Sequence, residues 1–169
     1  ENINKNREPD VLPVPSKQVL LMTPVSGQND YINAVFVEGH RRKAAFIATH
    51  APLGNTVIDL WRAVFDYNCT TIIMLCPKHY LKTEEKYYPE GLGETMDVLP
   101  FELECLEEDQ NGPIKMTQLS LKYCGLEKSV MHFSLTEDMA GMSTQEKMST
   151  IFDIYENCKK WQQQSTEKK

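Results

Sequence analysis

The chain has no uninterrupted apolar run of about 18 residues, the length a membrane-crossing helix needs. It opens Glu1-Asn2-Ile3-Asn4, which lacks the apolar centre of a secretory leader. Any membrane anchor of the parent protein is therefore expected outside this sequence, and no direct membrane contact is expected within it. The five cysteines (Cys69, Cys76, Cys105, Cys124, Cys158) show no paired spacing, and their number is odd. That speaks against a disulfide framework and for buried thiols in a reducing compartment. His79 stands amid no Cys/His/Asp ligand spacing, so no metal site is expected, and nothing in the chain calls for a cofactor. Positive charge is thin: the net charge is −6, and basic residues are scattered except at His40-Arg41-Arg42-Lys43. This excludes a nucleic-acid surface and a polybasic membrane patch. Asn68-Cys69-Thr70 matches a glycosylation acceptor but is read as a helix end feeding a strand.

What is present is an α/β pattern, with 169 residues enough for one domain with a proper core. The organising stretch runs from Asp30 to Leu75. An apolar strand covers Asp30 to Val37, and a basic turn follows at 38–43. A second strand and exit turn cover Ala45 to Leu53. Leu60, Trp61, Val64 and Phe65 then fall on one face at helical period. Thr56 with Asp59 three residues on reads as a capping box for that helix, which ends near Asn68. Thr70 to Leu75 is apolar throughout and is expected to be a buried strand.

The residues carrying this pattern resemble the protein tyrosine phosphatase domain family. The resemblance rests on Asp30-Tyr31-Ile32-Asn33-Ala34, on Phe46-Ile47-Ala48-Thr49 with Pro52-Leu53, on Thr56, Asp59, Trp61, Arg62 and Val64, and on Ile73-Met74-Leu75. It runs over nearly the whole chain, in the flavour of a membrane-distal second domain of receptor-type members. It implies a phosphatase-like mixed twisted sheet flanked by helices. It further implies that residues 1–169 form a single partial domain, incomplete at the C-terminus, because complete domains of the family are longer. Asn6, Arg7, Tyr31, Asn33, Pro52, Asp59, Trp61 and Arg62 would be its scaffold residues. His50 stands where the family commonly has glutamine, and is read as a hydrogen-bonded structural residue.

The flanking segments add detail. Residues 1–16 hold three prolines and read as an extended loop. Residues 17–23 read as a strand, 76–89 as a charged loop resembling the family's Glu, Lys and Tyr-Trp-Pro segment (Glu84 or Glu85, Lys86, Tyr87-Tyr88-Pro89), and 90–97 as loop. Alternation then predicts an antiparallel meander over 98–135: Leu99 to Leu106, a turn at 109–113, Met116 to Tyr123, and Ser129 to Leu135. Ser143 to about Gln164 reads as a helix opened by the capping box Ser143-Thr144-Gln145-Glu146. Met148, Ile151, Phe152, Tyr155 and Cys158 are its expected buried stripe.

The resemblance makes three positions conspicuous for what they are not. Lys5-Asn6-Arg7-Glu8 resembles the family's Lys-Asn-Arg-Tyr loop, whose tyrosine stacks on the substrate ring; Glu8 offers no stacking face and repels a phosphate dianion. The segment after His132-Phe133 aligns Asp138, Met139 and Ala140 on the family's mobile Trp-Pro-Asp, so the general-acid position falls on Ala140; a slipped loop would offer Asp138 instead. The family's nucleophile loop, Cys-x5-Arg, is absent: no cysteine has an arginine six residues on, and no arginine follows Arg62. No catalytic residue is therefore assigned. The expectation is a non-catalytic phosphatase-like domain in the cytoplasmic part of a single-pass receptor, binding protein partners that include an adjacent active phosphatase domain. The alternative is a fragment of an active phosphatase whose nucleophile loop lies downstream and acts through a cysteinyl-phosphate.

Overall fold

A computed structural model describes residues 2–40, 42–76 and 78–167. The chain divides into two compact units: the residues up to Asn68 with Thr83–Tyr87, and Cys69–Lys82 with Tyr88–Lys169.

In the first unit, β1 (Gln18–Leu20), β2 (Tyr31–Val37) and β3 (Phe46–Thr49) form an antiparallel sheet in that order. Alternation puts Ile32 and Ala34 on the covered face, where they join Val19, Leu21 and Ala63 in a core flanked by Phe36, Ile47 and Tyr67. A short 3-10 turn, Gly54–Thr56, leads into α1 (Val57–Asp66). The expected capping box is not formed there. The Thr56 hydroxyl instead accepts the Leu53 N–H at 2.8 Å, and the Asp59 carboxylate is engaged by Lys5 and Arg62. Helix α1 ends where Asn68 takes φ +52, a left-handed conformation that asparagine tolerates better than most residues. The 1–16 loop carries two single-turn 3-10 segments, Ile3–Lys5 and Pro15–Lys17.

The second unit is built on a five-stranded mixed sheet. Its strands are β4 (Thr71–Met74), β5 (Thr95–Val98), β6 (Phe101–Asn111), β7 (Ile114–Tyr123) and β8 (Leu126–Leu135), ordered β4-β8-β7-β6-β5. All pairings are antiparallel except β4 with β8. Three expectations are corrected here. Residues 90–97 are not all loop, because Thr95–Val98 pairs with β6. The turn expected at 109–113 shrinks to Gly112-Pro113, because Asn111 already pairs with Ile114. The apolar run Thr70 to Leu75 is not fully buried: Ile73 is 44% and Leu75 58% exposed. The β7–β8 turn is the two residues Cys124-Gly125, both at positive φ, the conformation of a type I′ hairpin.

The helix α2 (Thr144–Glu167) packs on the Ile114, Met116, Phe133 and Leu135 face through Ile154 and Cys158. The Trp161 indole N–H donates to the Thr70 carbonyl at 2.9 Å. The Ser143–Glu146 capping box forms: the Ser143 N–H and hydroxyl both donate to Glu146 Oε2, and the Glu146 N–H donates back to Ser143 Oγ. The expected stripe is wrong in phase. Of its members only Cys158 is buried, whereas Met148, Ile151, Phe152 and Tyr155 are 52–67% exposed. The physical reason is that α2 is apolar over more than one face, and the sheet takes the face of Thr150, Ile154 and Cys158.

Candidate functional site

The N-terminal loop is fixed residue by residue. Lys5 Nζ donates to Asp59 Oδ2 and to Asn29 Oδ1, both at 2.9 Å. Asn6 is buried and accepts the Tyr31 hydroxyl at 2.7 Å. Arg7 donates to the Ala51 and Pro52 carbonyls at 3.1 and 2.9 Å and pairs with Glu85 at 3.0 Å. Asn33 donates to the Val11 carbonyl at 2.7 Å. Every side chain before Glu8 in the Lys5-Asn6-Arg7 run is thus spent on holding the loop, and Glu8 follows them exposed.

Asp59 is 0% exposed and takes both Lys5 and Arg62. Arg62 is itself buried, with Nε donating to the Thr23 carbonyl at 2.8 Å and Nη1 to the Asn29 carbonyl at 2.7 Å. Trp61 is fully covered, its N–H on the Tyr87 carbonyl at 2.7 Å. Both described arginines of the interior, Arg7 and Arg62, are therefore held by protein acceptors. Arg42 is exposed on a turn, and Arg41 lies outside the described residues. A cavity of about 20 Å³ sits among Lys5, Arg7, Asn33, Thr49, His50 and Pro52, room for about one water and far below what an aromatic phosphate needs. The His50 ring lines it, and its Nδ1 is buried with no hydrogen-bond partner among the described residues, which corrects the expected hydrogen-bonded role at that nitrogen.

In the second unit the loop after β8 makes a 3-10 turn, Met139–Gly141. Asp138 is its N-cap, its Oδ1 accepting the Ala140 N–H at 2.8 Å. Ala140 is exposed and has no proton to give. The one carboxylate in the Asp138-Met139-Ala140 triplet is thereby held on its own backbone.

Burial tunes the Cys69, Cys105 and Cys158 thiols away from nucleophilicity. Burial pushes the Cys69 thiol up, with Lys128 a weaker opposing influence. Burial pushes Cys158 up to about 11. A reactive cysteine requires the opposite shift. Among the described residues no group of three or more His, Cys, Asp and Glu could hold a metal, and no helix is long and apolar enough to cross a membrane.

Two features escaped the sequence. Asp66, at the C-terminal end of α1, accepts the Met22 and Thr23 N–H groups and the Thr23 hydroxyl; an acid at a helix C-terminus opposes the dipole, a local oddity that could have flagged it. His132 is 0% exposed and stacks on Tyr88 at 4.0 Å between centroids. Its place in an otherwise apolar run was the available signal.

Comparison with known proteins agrees with this architecture. The family model described as protein-tyrosine phosphatase matches residues 2–168. Human tyrosine-protein phosphatase non-receptor type 12 is 36% identical over 126 residues, covering 73% of this chain and 16% of its own length. Chicken receptor-type tyrosine-protein phosphatase U is 47% identical over 75 residues, or 44% of this chain and 5% of its own. The crystal structure of the catalytic domain of human protein tyrosine phosphatase non-receptor type 18 superposes with a TM-score of 0.76 at 26% identity, over 90% of this chain and 57% of that one. A structure of PTPN18 in complex with HER2 phosphopeptides gives 0.70 at 29% identity, covering 79% of this chain and 51% of that one. The chain thus spans about half the length of these solved relatives and a smaller share of the curated ones.

Proposed function

The chain belongs to the protein-tyrosine phosphatase family, and from that premise we propose that it is a non-catalytic member domain that regulates or docks other proteins rather than hydrolysing phosphotyrosine. The observation that carries this is the loop after β8, where Asp138 caps the Ala140 N–H at 2.8 Å; the alignment on His132-Phe133 puts Ala140 on the acid position. Glu8 in place of the stacking tyrosine removes the substrate's aromatic platform. These are independent losses, and a missing acid alone typically costs about 10²–10⁴ in rate. In support, Arg7 and Arg62 are held by protein acceptors, and burial raises the Cys69 and Cys158 thiols, the opposite of what a nucleophile needs.

The finer reading is a membrane-distal second domain of a receptor-type phosphatase, on the cytoplasmic side, with an adjacent active phosphatase domain as one partner. The similarity to receptor-type U and to chicken receptor-type eta, 40% identical over 92 residues, supports it. The alternative keeps the same fold but adds a Cys-x5-Arg loop from downstream sequence.

The test is release of inorganic phosphate from a phosphotyrosine peptide, by this chain and by this chain extended with whatever sequence follows it. No release above the buffer blank is expected from the chain. The extended form should stay far below a typical enzymatic turnover of about 1–10³ s⁻¹, with Ala140→Asp raising it at most modestly while Glu8 stands. Turnover in that range by the extended form would establish the alternative and refute the non-catalytic reading.

A further inference from the structure

The chain carries one run of three consecutive cations, Arg41-Arg42-Lys43, and one run of three consecutive carboxylates, Glu107-Glu108-Asp109. Arg42 and Lys43 of the first run sit at the β2–β3 turn, which His40 enters. This turn is closed by the Gly39 N–H on the Arg42 carbonyl at 2.9 Å. Its entry requires glycine, because a Cβ at Gly39 would lie 2.7 Å from that of Ala45. Glu38 beside it is already paired with Lys17 at 3.5 Å, and the exposed Arg42 and Lys43 make no ion pair among the described residues. The carboxylates sit on the distal half of β6. There the β5 pairing has ended at Glu104, a bulge follows Cys105, and Glu107 to Asn111 are exposed and pair with β7. Lys115 neutralises Glu108. Glu104 is likewise paired with Lys122, which leaves Glu107 and Asp109 as the exposed carboxylates of this half of β6 that make no ion pair among the described residues.

We propose that the β2–β3 turn of one molecule docks on the distal β6 ribbon of a second copy, through a contact between the Arg42/Lys43 pair and Glu107/Asp109. The occupant is chosen by charge complementarity: both halves are on the same chain, each is its strongest local concentration of one sign, and each is built on backbone already fixed by hydrogen bonds. The contact is independent of whether the domain is catalytic.

The test is sedimentation velocity of the purified chain at about 50 mM and about 500 mM salt, where the screening length falls from about 14 Å to about 4 Å. Concentration-dependent, reversible association is expected at the low salt and its loss at the high. Arg42→Glu with Lys43→Glu should abolish it, as should Glu107→Lys with Asp109→Lys. Each variant alone should stay monomeric, whereas a mixture of the two should associate, because the intact turn of one meets the intact ribbon of the other, and the four substitutions in one chain should also restore association. All four side chains are exposed, and unchanged circular dichroism and unfolding midpoints confirm the fold of each variant. A monomer under all conditions, association insensitive to salt and to both reversals, or failure of the combined variant to regain it would each overturn the proposal.

Discussion

Burial of His132 gives a pH dependence that can be worked through. Its imidazole is fully enclosed and stacked on Tyr88. Burial, helped by the charge of Lys115, lowers its pKa from 6.5 to about 3. The folded state therefore holds it neutral, while the unfolded chain protonates it below about 6.5. Stability from this group is fully present above that pH and is lost as pH falls toward about 3. At about 1.4 kcal/mol per pH unit, the loss is about 2 kcal/mol between pH 7 and 5 and about 3 kcal/mol by pH 4. The assay is urea unfolding of the wild type and of His132→Phe, which keeps an aromatic ring against Tyr88, at pH 7 and pH 5. The wild type should lose about 2 kcal/mol more than the variant over that interval. An equal loss in both, within about 0.5 kcal/mol, would refute a neutral buried imidazole. So would a His132 ring titrating near 6.5 in the folded protein by NMR.

Other substitutions have directions set by their surroundings. Arg62→Ala should cost about 3–5 kcal/mol in urea unfolding, because it leaves buried Asp59 with one cation fewer and two carbonyls without donors. Ser143→Ala removes the acceptor for the first turn of α2 and should cost about 1 kcal/mol, read as a lower thermal midpoint. Asp97 stands directly across from Glu102 on the β5–β6 ladder, so Asp97→Lys should stabilise by a few tenths to about 1 kcal/mol, and less at high salt.

The legible parts of the fold were those with a strong local rule. Alternation in Phe101, Leu103 and Cys105 located β6 and its covered face, and the Ser143/Glu146 pair located the start of α2. The family resemblance, resting on Tyr31-Ile32-Asn33 and Trp61-Arg62, located the phosphatase architecture. What failed was whatever depends on a remote neighbour. Thr56 and Asp59 have capping-box spacing, but Lys5, far away in sequence, claims the Asp59 carboxylate. The stripe on α2 was assigned by apolarity alone, and Phe152 is as apolar as Ile154; only the sheet decides which is covered. In the candidate site, the identities of Glu8 and Ala140 were readable, whereas the cap from Asp138 to the Ala140 N–H and the exhaustion of Arg7 by two carbonyls and Glu85 needed three dimensions.

The parallel pairing of β4 with β8 also fixes an order of assembly. Turns of two residues join β6 to β7 and β7 to β8, so those ladders zip with almost no chain to bring together. Sixty residues separate Thr71 from its partner Met131. At about 0.6 kcal/mol per doubling of loop length, closing that span costs roughly 3 kcal/mol more entropy than closing a hairpin. The meander is therefore the nucleus of its unit, and β4 is the late arrival: substitutions at Leu119 or Val130 should slow folding, while those at Ile72 should chiefly hasten unfolding.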